Sequence, residues 1–148
     1  MLTQHKLVEA ALQEAAKLRF SNFAGDDDAV LRLLNAFAGA DSVADDLWQE
    51  LPINYRVEDV ANLLSLWCWR TDDNGTQIMR AVEHWIVECA DENKIRVALS
   101  MDAYPFIDTD VCIANLKKAG TAFPALHARC EEIISDRLTE RHSPGATL

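Results

Sequence analysis

Residues 57–90 read VEDVANLLSLWCWR, then TDDNG, then TQIMRAVEHWIVECA, and this stretch decides the fold. In the first block Val57, Val60, Leu64, Trp67 and Cys68 recur at the three- and four-residue spacing that lines one side of an α-helix. In the last block Ile78, Val82, Trp85, Ile86 and Cys89 do the same, with Thr76 in place to cap the start. The five residues between them are turn formers. The pattern predicts a helix over 57–70, a tight turn over 71–75 and a second helix over 76–90.

The same punctuation extends outward from this pair. Upstream, Val8, Ala11, Leu12, Ala15 and Leu18 predict a helix over 3–20, with Thr3 as N-cap. Val30, Leu33, Leu34 and Phe37 predict one over 28–38, stopped by Gly39. Asp26, Asp27 and Asp28 stand at its start, where carboxylates cap free amides and meet the positive end of the helix dipole. Val43, Leu47 and Leu51 predict a helix over 42–51, with Ser42 and Asp45 as a variant capping box and Pro52 as the stop. Downstream, Ile95, Ala98 and Leu99 predict a helix over 92–102. Cys112, Ile113 and Leu116 predict one over 109–119, ended by Gly120, with Lys117 and Lys118 at the negative dipole end. Leu126, Cys130, Ile133, Ile134 and Leu138 predict the last over 124–140, with Pro124 in its first turn. No segment sustains strand-like alternation. The fold class is all-α: about eight short antiparallel helices, packed as a compact helical bundle or as a short α-solenoid of HEAT-like hairpins. Residues 1–141 are expected to form one helical domain and 142–148 a flexible tail.

Composition narrows the function. The chain has 148 residues, 49% of them hydrophobic, so a core can form without disulfide or metal. Its 24 acids against 14 bases give a charge of −10. That sign excludes a sequence-independent nucleic-acid binder and disfavours an anionic membrane surface. No apolar run has the length of a membrane span, and Glu9, Gln13, Glu14 and Lys17 break the N-terminal segment into an amphipathic pattern unlike a secretory signal. The expected location is cytoplasmic. Cys68, Cys89, Cys112 and Cys130 lie about twenty residues apart without metal-ligand spacing, and read as buried, reduced thiols.

The sharpest local pattern is charge. Between Asp26 and Asp59 stand nine acids (Asp26, Asp27, Asp28, Asp41, Asp45, Asp46, Glu50, Glu58 and Asp59) against Arg32 and Arg56. Such a block is either a solvated face with capping aspartates or a surface that meets a basic partner. Trp48 lies inside it and is the best single anchor. Trp67 and Trp69 point about 200° apart on one helix, so only Trp67 joins the apolar stripe. Trp69 is expected to be covered by a neighbouring layer, as large aromatics mostly are. His84 and Glu88 are four residues apart and read as a surface pair. A metal-dependent enzyme built on them is the weakest alternative, for no H-E-x-x-H accompanies them. His127 with Cys130 lacks an orienting third group, and Asp72-Asp73-Asn74-Gly75 lacks calcium-loop spacing.

In size, acidity and lack of catalytic motifs the chain resembles the small acidic helical immunity proteins that neutralise bacterial toxins. The resemblance implies a non-catalytic inhibitor that binds a basic protein partner, a toxin domain such as a nuclease, without cofactor, metal, nucleic acid or membrane. The partner-binding residues would be Asp26, Asp27, Asp28, Asp41, Asp45, Asp46, Trp48, Glu50, Glu58 and Asp59. The alternative is a helical adaptor or secretion chaperone holding a peptide by apolar contact.

Overall fold

A computed structural model describes residues 4–20, 27–37, 43–103 and 105–142. They form eight α-helices and, among the described residues, no strand: α1 (Gln4–Phe20), α2 (Asp28–Ala36), α3 (Val43–Gln49), α4 (Val57–Cys68), α5 (Thr76–Glu88), α6 (Glu92–Ser100), α7 (Thr109–Ala122) and α8 (His127–His142). The expected caps at Thr3 and Ser42 and the stop at Gly39 lie outside the described residues, as do Asp26 and Asp41.

The stretch that decides the fold also supplies its centre. Val60, Leu63, Leu64 and Trp67 of α4 are wholly buried, as are Ile78, Val82 and Ile86 of α5. Helix α4 packs against α1, α2 and α6 as well as α5, and its contact with α6 exceeds that with α5, its successor in the chain. The helices pack compactly around α4, with α7 and α8 paired at one side through α5.

Long-range polar contacts lock this packing. The Trp67 indole Nε1 donates to the Val30 carbonyl at 2.9 Å, in the buried α2–α4 seam. The Val30 amide in turn donates to Glu14 Oε1 of α1 at 3.0 Å. Asp27, the expected cap, accepts no amide there; its carboxylate takes Arg70 instead, at 2.9 Å. A free helix amide needs a nearby acceptor, and the neighbouring helix provides it in place of the preceding residue.

Several boundaries differ from the periodicity reading. Helix α7 does not stop at Gly120 but continues to Ala122. Glycine eases a close approach there, since a Cβ would stand 3.3 Å from His127 Cα. Lys117 and Lys118 are thus not terminal, and Lys118 Nζ donates to the Val87 carbonyl at the end of α5. Pro124–Leu126 forms a separate 3-10 turn before α8. Thr76 does not cap α5. Gly75 is the N-cap residue, at φ +80°, and the carboxylate of Asp73 accepts from the Gly75 and Gln77 amides at 3.0 Å each. Leu138 falls outside the core stripe, at 37% exposure. Trp69 is the largest departure. It is 79% exposed, at the C-cap position just past the end of α4. All four cysteines are free; Cys112 and Cys130 are buried, whereas Cys68 and Cys89 are half-buried.

Candidate functional site

The described acids of the block fall into two groups. Asp27 and Asp28 start α2, and Asp27 pairs with Arg70 just beyond the C-terminal end of α4. Glu58 and Asp59 occupy the first turn of that helix. Eleven residue steps of α4 separate the two ends, roughly 16 Å at a rise of about 1.5 Å per residue. Asp27 is paired with Arg70, whose Nε and Nη2 both reach its Oδ2 at 2.9 Å. Asp45, Asp46 and Glu50 lie on or just after α3, the helix that carries Trp48, and Glu58 and Asp59 lie on the first turn of α4.

Aromatic packing fixes this second group. Trp48, near the end of α3, meets the Tyr55 ring edge-on at 5.6 Å between centroids and the Trp85 ring at 5.6 Å with a 56° tilt. Tyr55 lies two residues before α4, and Trp85 lies in the last turn of α5. The cluster therefore ties α3, the α4 entry and the α5 exit to one end of the bundle. The Trp85 indole is 3% exposed and its Nε1 donates to Asp45 Oδ1 at 2.8 Å. Asp45 is thus a structural acceptor as well as a surface charge. Trp48 is half-buried, so one part of its ring is held by packing and another is open.

The α5–α6 turn adds groups that sequence periodicity missed. Asp91 caps α6 by accepting from the Asn93 and Lys94 amides at 2.9 and 3.2 Å. Its charge also reaches Tyr55: partial burial pushes the phenol above its ordinary value, the Asp91 carboxylate adds to this, and a hydrogen bond with the Asn93 side chain opposes it. Lys94 lays its ammonium against both indoles, 5.9 Å from the Trp48 centroid and 5.6 Å from that of Trp85. The signal available was Asp91 at an N-cap position; nothing in the spacing of Trp48, Trp85 and Lys94 relates them across three helices. The nearby ion pairs, Arg56 with Glu58 at 3.8 Å and Arg96 with Glu92 at 3.6 Å, are surface contacts of small energetic weight.

Other candidates are less suited to carry chemistry. His84 Nε2 and Glu88 Oε1 are 2.7 Å apart on the exposed face of α5, as a surface pair should be. Among the described residues no group of three His, Cys, Asp or Glu side chains could hold a metal ion. His127 is exposed and Cys130 buried; burial pushes the Cys130 thiol up, as it does that of Cys112. A nucleophile needs the opposite shift.

A recess of about 710 Å³ lies towards the other end of α5, between Met79, Arg80, Glu83, the 106–108 loop, Val111, Arg137 and Glu140. Two of its charged groups are consumed in holding that loop. Glu83 Oε2 accepts from the Phe106 amide at 2.7 Å. Arg137 Nη1 donates to the Pro105 and Phe106 carbonyls at 3.2 and 2.6 Å, and Nη2 to that of Ile107 at 2.8 Å. The clamp keeps Phe106 at φ +64° and leaves Ile107 fully exposed at the rim. This recess is an apolar-rimmed surface rather than a set of convergent reactive groups.

Comparison with known proteins finds no family model, no curated protein and no solved structure that matches the chain. Among the described residues no helix is long and apolar enough to cross a membrane.

Proposed function

We propose that the chain is a non-catalytic acidic binding protein, an inhibitor of the immunity type that neutralises a basic toxin domain by covering its cationic surface. One observation supports this best. Asp45, which holds the Trp85 indole, and Asp91, whose charge reaches Tyr55, flank the aromatic cluster of the half-buried Trp48, while Asp46 and Glu50 lie on or just after α3 and Glu58 and Asp59 on the first turn of α4. Large aromatics inside a charged rim are the composition of interface hot spots, and the rim steers a basic partner to them. Asp26 and Asp41 belong to the proposed interface by sequence only. Asp27 and Asp28 fall to its periphery at the far end of α4.

The test is parallel affinity capture from native lysate with the parent and with the triple variant Asp46→Asn, Glu58→Gln, Asp59→Asn, over a salt series. The parent is expected to retain one basic protein near stoichiometry and release it as salt rises; the variant is expected to lose it. Equal capture by both, or capture that persists at high salt, would overturn the reading. The second outcome would favour a helical adaptor, which the exposed Ile107 and Val111 at the 710 Å³ recess support as the alternative.

A further inference from the structure

The Lys94 ammonium is a cation held between two tilted indoles, and it is supplied by the protein itself. We infer that the cleft between Trp48 and Trp85 is a binding site for a cationic side chain of a partner, an arginine guanidinium in the first place, and that Lys94 occupies it in the unbound protein. This inference rests on the acidic-face reading and names the group that the face receives.

Three features make the cleft a cation site rather than an incidental contact. The indole planes meet at 56° with centroids 5.6 Å apart, so a group in the angle between them lies against both π-faces. The ammonium is within 6 Å of both centroids, the range in which the ring quadrupole attracts a cation. The wall is anionic. Asp45 accepts from the Trp85 Nε1, which sets a carboxylate at the edge of that indole, and Asp91 stands on the Tyr55 side of the cluster.

Lys94 is a displaceable occupant. It is half-buried at the third position of α6. Its side chain is a flexible four-carbon stem with a strongly hydrated head, whereas guanidinium is planar, weakly hydrated and stacks on aromatic faces. A partner's arginine can therefore take the angle between the rings while Lys94 returns to water. The rings themselves do not need to move, since Trp85 is fixed by Asp45 and Trp48 by Tyr55. The cleft is thus formed before binding, which lowers the ordering cost of association.

The experiment titrates ¹⁵N-labelled protein with a hexa-arginine peptide at low salt and follows the indole N–H signals of Trp48 and Trp85. Two variants of equal charge change are compared, Lys94→Gln and Arg80→Gln, the latter nearer the other end of α5. Both indole signals are expected to shift saturably, and Lys94→Gln is expected to bind about two- to fivefold tighter than Arg80→Gln, the size of one exposed cation–π contact. Peptide binding that leaves both indole signals unmoved, or equal affinity for the two variants, would overturn the cleft while the acidic face stood. If the peptide does not bind the parent, the acidic-face reading fails. Lys94→Gln titrated with tetramethylammonium chloride against equal sodium chloride then decides the cleft alone. Indole shifts specific to tetramethylammonium support it, and their absence overturns it.

Discussion

At Gly75 the chain has almost no choice of residue. Its φ is +80°, and a Cβ there would stand 2.5 Å from Cys68 Cβ and 2.8 Å from Cys68 Cα. Gly75→Ala therefore combines a left-handed conformation, about 1–2 kcal/mol, with overpacking of about 1–3 kcal/mol. The denaturant midpoint is expected to fall by the equivalent of at least about 2 kcal/mol with an unchanged slope. The same close approach helps to shield the half-buried Cys68, whose thiol is pushed up to about 11, chiefly by desolvation and secondarily by the Asp73 charge. Cys68 should resist alkylation at neutral pH in the folded protein and react promptly in denaturant, a contrast that mass spectrometry of labelled peptides reads directly. Asp73 shows the opposite shift. The Gln77 amide, ahead of contacts from Thr71 and Gly75, holds its carboxyl below the ordinary 3.8 despite opposing desolvation. A depressed carboxylate adds stability above its unfolded value and loses it as pH falls through the lower folded value. The Tm gap between the parent and Asp73→Ala should hence be full at neutral pH and close below pH 3.8.

Elements formed where periodicity said they would, because each apolar stripe found a partner. Their ends were less legible, since the groups that satisfy a helix terminus often come from elsewhere in the chain. The Val30 amide is taken by Glu14 and the Val87 carbonyl by Lys118, at separations of 16 and 31 residues. No local rule relates such pairs. Gly120 misled for a related reason: the spacing treats it as a stop, whereas its small size serves contact with His127 inside a continuing helix. The size of Trp69 predicts a covered ring, since large aromatics are mostly buried, but coverage depends on which helix follows and in what direction. In the candidate site Trp48 and its acids were legible as composition, whereas the indole cleft and Lys94 were not. Those three side chains come from α3, α5 and α6 and meet only after the bundle closes. The loop after α6 is likewise a tertiary product. Arg137 of α8 binds three successive carbonyls at 105–107, and hydrogen bonds to a charged group contribute about 1.5–3 kcal/mol in net terms. Arg137→Met retains the stem and loses all three. It is expected to cost about the amount of one such bond by chemical denaturation, since the freed carbonyls regain water, and to raise amide exchange at Phe106, whose N–H keeps its acceptor Glu83 but whose loop loses the guanidinium clamp.

For the whole molecule, the excess of ten negative charges acts on stability and association with opposite signs. Like charges gathered at one end repel one another in the free protein, and that repulsion is weak only because solvent and counterions screen it. Raising ionic strength from about 0.01 M to about 0.15 M shortens the screening length from about 30 to about 8 Å. The carboxylates of α3, the first turn of α4 and the start of α6 then interact less, so the Tm of the free protein should rise. The same change weakens attraction to a basic partner, so affinity should fall. Within the triple variant Asp46→Asn, Glu58→Gln, Asp59→Asn, two effects compete. Relief of repulsion stabilises, whereas Glu58 and Asp59 lose their favourable place at the positive end of α4, about 0.3–1 kcal/mol each. The variant should accordingly stay within about 2 kcal/mol of the parent and show a smaller rise of Tm with salt, while losing most of its partner affinity. A melt of parent and variant at the two salt concentrations separates the roles. If the acids served folding alone, the variant would unfold earlier at both salts and bind as well as the parent wherever it remained folded.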